Sequence, residues 1–225
     1  MKIISVIGKK DTGKTTLVRK IIEGLRSRGY KVAGLKHAHV YFDFRDKDTG
    51  KYRESGAEIV AGLGKETFIL LDKELKPEYL IYLISFIQNP DFLVIEGFKT
   101  WKFANISTSP EVKNKFTIAT VDENFEIEEL LDLIEERSYG LLLNLNCGKC
   151  GFDTCEEFAI AKIKGEDVEC KSQPKDAMLI VDDVPVPLNP FVQKIIASTI
   201  TGMIKSLKME KSKINNIKLF IKNLE

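Results

Sequence analysis

Cysteine is missing from the chain before Cys147, and all four cysteines fall between Cys147 and Cys170. A disulfide framework would spread them along a small secreted chain, so this crowding points to a metal site in a reducing compartment. Long apolar runs are missing too. A membrane span needs about 20 consecutive apolar residues; the longest candidate, residues 79–87, is too short and reads as a buried helix. No charge of one sign dominates: 34 Lys and Arg face 33 Asp and Glu, a net charge of +1. That balance gives nucleic acid no electrostatic footprint to bind. The N-terminus has no signal-peptide layout. A cytoplasmic protein with no membrane and no nucleic-acid partner is expected.

What is present is an alternation of strand and helix patterns over residues 1–138, the mark of a mostly parallel sheet with helices on both faces. Residues 2–7 read as a first strand. Leu17, Val18, Ile21, Ile22 and Leu25 recur at helical spacing, and Gly29 is a helix stop. Strands follow at residues 31–36 and 67–71. Pro77 opens an apolar helix as its first residue. Residues 91–95 form a buried strand, 116–121 another strand, and 127–136 another helix. The stretch 37–57 breaks the rhythm. It is polar and carries Asp43, Asp46, Asp48 and Arg53, and reads either as a functional loop or as a surface loop.

The composition changes at residue 139, where a smaller α+β unit of residues 139–225 is expected. The cysteines lie within 146–171. Thr154-Cys155-Glu156-Glu157 is a capping-box pattern opening a helix that Gly165 ends. A strand is expected at 177–182, then a helix from Asn189-Pro190 to about residue 207. Phe191, Ile195, Thr199, Met203 and Leu207 share one face of it. Ile217, Leu219 and Ile221 alternate as a last strand, giving a strand-helix-strand segment over 177–225.

Between the first strand and first helix stands Gly8-Lys9-Lys10-Asp11-Thr12-Gly13-Lys14-Thr15, followed by Thr16. The pattern G-x-x-x-x-G-K-[ST] cradles phosphate because its glycines let backbone N–H groups turn inward. The helix N-terminus adds its dipole. Lys14 would bridge the outer phosphates, and the Thr15 hydroxyl would ligate Mg²⁺. The fold class is therefore α/β of the P-loop NTPase type. Such a site needs a second acidic group at a buried strand end. Glu96, after Phe92-Leu93-Val94-Ile95, fits, with a capping or ion-paired carboxylate as the alternative. His37 and His39 lie on the same rim, as contacts to a metal, phosphate or second substrate or as packed side chains. No Asn-Lys-x-Asp string marks guanine; Asp122 after a strand is the nearest substitute. The motifs alone do not separate GTP from ATP.

Cys147-x₂-Cys150-x₄-Cys155-x₁₄-Cys170 supplies four soft thiolates. Zinc and an iron–sulfur cluster both accept such a set. Structural zinc usually takes two close pairs, whereas three neighbouring cysteines and a distant fourth suit a cube-shaped 4Fe-4S cluster, with Gly148 and Gly151 leaving room for inorganic sulfide.

Several pieces in order resemble the MobB family, the molybdopterin-guanine dinucleotide biosynthesis adapter proteins. They are the phosphate loop with Thr15-Thr16-Leu17, Leu35-Lys36-His37-x-His39, the stretch from Asp48-Thr49 to Arg53-Glu54-x-Gly56-Ala57, and Val94-x-Glu96-Gly97-Phe98-Lys99. Val40 stands where the family often has a further histidine, and Gly50 separates Thr49 from Tyr52-Arg53. The resemblance implies a GTP-binding homodimer and weak GTPase that aids the nucleotidyltransferase attaching GMP to molybdopterin. It also makes Lys36, His37, His39, Asp43, Asp48 and Arg53 a substrate or switch loop. The cysteine stretch, with Phe158-Ala159 and Gly165, resembles a small 4Fe-4S domain of corrinoid iron–sulfur proteins. Two other readings stand beside the adapter: a P-loop ATPase of metal-centre maturation, and a non-catalytic nucleotide-regulated module.

Overall fold

The computed structural model describes residues 1–38, 48–122, 125–208 and 214–221, with Asp48 placed by its backbone alone. In chain order the first elements are β1 (Lys2–Ile7), α1 (Lys14–Ser27), β2 (Val32–Lys36), α2 (Asp48–Glu54), β3 (Ile59–Leu63) and β4 (Thr67–Leu71). Then come α3 (Pro77–Gln88), β5 (Phe92–Glu96), β6 (Ala104–Ser107), β7 (Thr117–Thr120) and α4 (Ile127–Arg137). The C-terminal elements are α5 (Cys155–Ile163), β8 (Leu179–Val181), β9 (Val184–Val186) and α6 (Pro190–Lys205).

Five parallel strands form the central sheet in the order β2-β5-β1-β6-β7. The β-branched run of β1 and the apolar run of β5 favour extended backbone buried on both faces. Side chains alternate across the sheet accordingly. Ile4, Val6 and Val94 pack with Leu17, Ile21 and Leu25 of α1 and Leu131 and Ile134 of α4. Ile3, Leu93 and Ile95 face the other way, onto Ile81 of α3. Helices thus cover both faces. Because all five strands run in one direction, their C-terminal ends share one edge. The chain leaves β1 toward β2 and returns past it to β6, so the crevice beside β1 is a topological switch point.

Two strand assignments are corrected. The segment Thr67–Leu71 is a strand, but it lies outside the central sheet, pairing antiparallel with β3 as a separate hairpin. Only residues 64–66 join the two, and so short a connection cannot cross over to a parallel neighbour. The alternating Ile217, Leu219 and Ile221 form no strand: residues 214–221 pair with no ladder, and Leu219, Phe220 and Ile221 are exposed. Alternation without a bonding neighbour does not hold a strand. The second strand of that region is instead β9, joined to β8 through Asp182 and Asp183, both at positive φ (49° and 60°), the geometry of a tight hairpin turn. The helix α3 is half-buried rather than buried: Ile81 and Tyr82 are enclosed, while Phe86 and Ile87 face outward.

The cysteine-bearing segment sits directly on the sheet. Thr154 caps α5 in a full capping box with Glu157. Phe158, Ala159 and Ile163 of that helix join the same apolar cluster as Phe92, Phe116 and Tyr139. Glu156 anchors the helix from outside, at 3.0 Å from Lys102 Nζ and 2.5 Å from Lys115 Nζ.

Candidate functional site

β1 ends at Ile7 and α1 begins at Lys14, so the loop of residues 8–15 lies at the C-terminal edge of the sheet, in the switch-point crevice. Gly13 adopts left-handed backbone (φ 75°) with nothing within 4 Å of where a Cβ would stand. A glycine meets this conformation without strain and leaves open space over the helix end. The first turn of α1 holds no acidic residue, and its N-cap is glycine, with no side chain to bond the N–H groups of the dipole end. The Lys14 ammonium folds back onto the Lys9 carbonyl.

Parallel register brings the acidic group to this loop. Glu96 of β5 stands beside Val6 of β1 on one side and beside Lys36 of β2 on the other. Its Oε2 accepts a 2.9 Å hydrogen bond from the Thr15 hydroxyl, and its Oε1 lies 3.2 Å from Lys36 Nζ. The Glu96 side chain is mostly enclosed, at 14% exposure, against 54% for Lys36. His37 follows: its N–H donates to the Glu96 carbonyl at 3.0 Å, and its ring stacks on Phe98 at 4.2 Å. Lys9, Lys10, Asp11, Thr15 and Thr16 are exposed, and Thr12 is half-buried. Asp122 lies two residues past β7 on the same edge, exposed.

The remaining loop residues are only partly described. His39 and Asp43 lie outside the described residues. Asp48 opens α2. Arg53, near the end of α2, reaches Oδ1 of Asp72 with Nε at 2.9 Å and a terminal nitrogen at 2.5 Å. That pair ties α2 to the end of β4.

Sequence reasoning missed a wall of the loop. Thr108 and Ser109 follow β6, a short strand whose Asn105 and Ser107 give it no apolar signature. Thr108 Oγ1 meets Thr12 Oγ1 at 2.7 Å, and Ser109 Oγ accepts the Lys9 N–H at 3.0 Å. Nothing in a local pattern search marks these residues; only the strand order does.

The four cysteines line one pocket of about 320 Å³, counting its open mouth, floored by Phe152 and Phe158. Among the described residues no three Cys, His, Asp or Glu side chains gather closely enough for one metal ion. Asn146 braces the rim: its N–H points at Cys155 Sγ (3.4 Å) and its Oδ1 accepts the Cys155 N–H (2.8 Å). Burial pushes the Cys170 thiol up, and the other three cysteines add to the shift. At Cys147 burial also pulls upward, but the Ser172 hydroxyl at 3.0 Å and the N–H groups of Lys149 and Cys147 outweigh it, so this thiol sits below its ordinary value.

A family model described as molybdopterin guanine dinucleotide synthesis protein B matches residues 3–131, and a second, described as "Putative Fe-S cluster", matches residues 144–170. A Methanocaldococcus jannaschii protein named "Putative molybdopterin-guanine dinucleotide biosynthesis adapter protein" is 35% identical over 222 residues, covering 92% of each chain. The Haemophilus influenzae adapter protein is 31% identical over 101 residues, 43% of this chain and 57% of that one. Of solved structures, Bacillus subtilis MobB is similar at 22% identity and TM-score 0.49, over 63% of this chain and 100% of that one. With more than half of its length matched by the first model and a relative above 30% identity matched over 92% of each chain, the chain belongs to the MobB family.

Proposed function

We propose that this protein is a GTP-binding adapter in molybdopterin guanine dinucleotide biosynthesis that hydrolyses GTP slowly. The observation that carries the nucleotide reading is the 2.9 Å contact between Thr15 and Glu96, next to the uncapped helix end and Lys14. The N–H groups at the start of α1 would take the phosphate oxygens, and Lys14 would leave the Lys9 carbonyl to pair with them. A hard divalent cation accepts a hydroxyl and a carboxylate as oxygen ligands, and Thr15 and Glu96 are such a pair. Bound there, Mg²⁺ would neutralise phosphate charge. Glu96 bonds Thr15 and Lys36 and would serve as a metal ligand rather than as a base; slow turnover is what the resemblance to the family implies. Lys36, His37 and Arg53, with His39, Asp43 and Asp48, belong in this reading to the substrate or switch loop.

The test is titration of the anaerobically purified chain with GTP and ATP in Mg²⁺, beside a reconstituted nucleotidyltransferase assay. A tenfold preference for GTP, on the order of 1.4 kcal/mol, and faster guanine dinucleotide formation are expected. A preference for ATP with no effect on the transferase would sink the reading and favour metal-centre maturation.

The cysteine pocket is read as a 4Fe-4S site. A single zinc ion needs its sulfurs at about 2.3 Å from one point, whereas a cluster spreads four thiolates around a larger body. Four cysteines around one pocket, three of them close in the chain and the fourth distant, favour the second. Iron and acid-labile sulfide in near-equal amounts are expected; colourless zinc protein from anaerobic preparation would reverse the assignment.

The homodimer is read from the β3–β4 hairpin. By register Ile59, Leu63 and Ile69 share a face, and they are 64%, 91% and 63% exposed. An isolated two-stranded hairpin is marginal in water, and such a face and its open edges suit a second copy.

A further inference from the structure

We propose that Thr108 and Ser109 are positioning residues for phosphate binding, holding the loop of residues 8–15 in its anion-accepting curl through a hydroxyl relay; the proposal rests on the reading of that loop as the nucleotide site. Thr108 extends the β1–β6 ladder by one bond, its N–H donating to the Ile7 carbonyl at 2.9 Å. Its side chain therefore lies over the first residue of the loop. A Cβ on Gly8 would come within 2.1 Å of Thr108 Oγ1, so only glycine lets the hydroxyl approach this far.

The direction of the relay follows from counting protons. A threonine hydroxyl has one proton to give. Thr12 Oγ1 donates its proton to the Lys9 carbonyl at 2.9 Å. Thr108 Oγ1 has two acceptors in reach, Thr12 Oγ1 at 2.7 Å and the Ile7 carbonyl at 3.3 Å; with the Thr12 proton on Lys9, the shorter contact takes the Thr108 proton. The chain runs from Thr108 to Thr12 to the Lys9 carbonyl, each bond polarising the next. The preceding peptide, between Gly8 and Lys9, is held by Ser109, whose Oγ accepts the Lys9 N–H at 3.0 Å. Ser109 is 4% exposed, and its own carbonyl accepts the hydroxyl of fully buried Ser107 at 2.7 Å. The anchor is thus fixed to the sheet.

The consequence concerns Lys14. Its ammonium bonds the same Lys9 carbonyl that Thr12 holds. When Lys14 turns to a phosphate, that carbonyl keeps Thr12 as its donor only while Thr108 keeps Thr12 oriented. Without Thr108 the Thr12 hydroxyl is free to rotate, and the loop loses its pre-set shape when Lys14 departs. Preorganisation of this kind shows up as affinity.

The test uses the full chain and compares Thr108→Ala with Thr108→Ser, which differ in the hydroxyl alone. Binding of GTP and of inorganic tripolyphosphate is measured for each, with the melting temperature of the unliganded protein. Thr108→Ala should weaken both ligands by about three- to tenfold, the worth of one hydrogen bond. Thr108→Ser should restore both, and melting should stay near that of the parent. Ser109→Ala should act in the same direction. Thr12→Ala with Thr108→Ala should be no weaker than the worse single change, as residues of one relay are not additive. Parental affinity in Thr108→Ala, or no rescue by serine, would overturn the proposal. So would loss of GTP affinity with tripolyphosphate untouched, because the residue would then be reading base or sugar. If the parent chain binds neither ligand, the nucleotide reading fails first, and this inference with it.

Discussion

Thr15 donates its hydroxyl proton to Glu96 across 2.9 Å, although the two stand 81 positions apart. Parallel pairing of β1 with β5 prepares the contact: Val6 and Glu96 are in register, and Thr15 is the second residue of α1, at the same edge of the sheet. Glu96→Gln keeps the shape and an acceptor for Thr15, but removes the charge. The Mg²⁺ dependence of GTP affinity should fall by on the order of tenfold or more, while affinity in EDTA changes little. Titration in the two conditions measures this. A Mg²⁺ response equal to that of the parent would remove Glu96 from the metal shell.

Lys14→Ala separates binding from folding. The side chain is half-buried, and its described contact is to the Lys9 carbonyl. Losing it should leave the melting temperature nearly unchanged, because surface substitutions away from special features stay within about 0.5 kcal/mol. GTP affinity should drop by on the order of a hundredfold, the scale of a charge-assisted phosphate contact. Undiminished affinity in a direct titration would reject the phosphate-loop reading.

The hairpin makes an oligomer test direct. Leu63, at 91% exposure, has nothing to lose in a monomer. Leu63→Glu with Ile69→Glu puts two like charges on the proposed contact and should convert a dimer to a monomer, read as mass by light scattering. Circular dichroism should not change. A mass unchanged by both substitutions would move the interface elsewhere.

Much of the sheet is legible in the sequence because its strongest elements carry local signals. β1, α1, β5 and α4 have continuous or periodic apolar runs, and the loop of residues 8–15 has a fixed glycine-lysine spacing. The Thr154 cap is equally local. What escapes is what only tertiary pairing decides. β6 is half polar, yet all four residues are buried, because Asn105 bonds the Phe103 carbonyl and Asn114 inside the fold. Thr108 and Ser109 are invisible for the same reason. Residues 217–221 fail in the opposite direction: the pattern is right for a strand, but among the described residues no strand pairs with it. The exposed stripe of Phe191, Ile195 and Met203 on α6 is another such case, helical by pattern but turned to solvent.

Tyr139 predicts an alkaline limit to stability. Burial pushes its phenol far above the ordinary value of 10.0, and burial raises Tyr82 to about 12. Both stay neutral in the fold while the unfolded chain ionises near its ordinary value. The unfolded state then binds fewer protons, so stability present below pH 10 falls as pH rises toward the folded values. Denaturant midpoints between pH 8 and 11 should show the decline. Tyr139→Phe should flatten it, at a neutral-pH cost of about 1 kcal/mol for the lost 2.8 Å bond to the Lys102 carbonyl. An equally steep decline in that variant would assign the slope to other groups.

The thiolate pocket and the sheet should fail separately under mutation. Cys155 lines the pocket at the first position of α5, where its contacts are to Asn146. The helix itself is held by Phe158, Ala159 and Ile163 in the shared core and by Glu156 between two lysines. On the proposed reading of the pocket as a cluster site, Cys155→Ser should lower the iron and acid-labile sulfide content, yet leave helix content and any nucleotide affinity intact. Ile163→Ala should do the reverse damage: at 7% exposure and outside the pocket lining, its loss opens a cavity worth about 2–5 kcal/mol, lowering the melting temperature of the whole chain. If Cys155→Ser instead unfolds the sheet or erases GTP binding, the metal centre is holding the core together, and packing through α5 is not sufficient on its own.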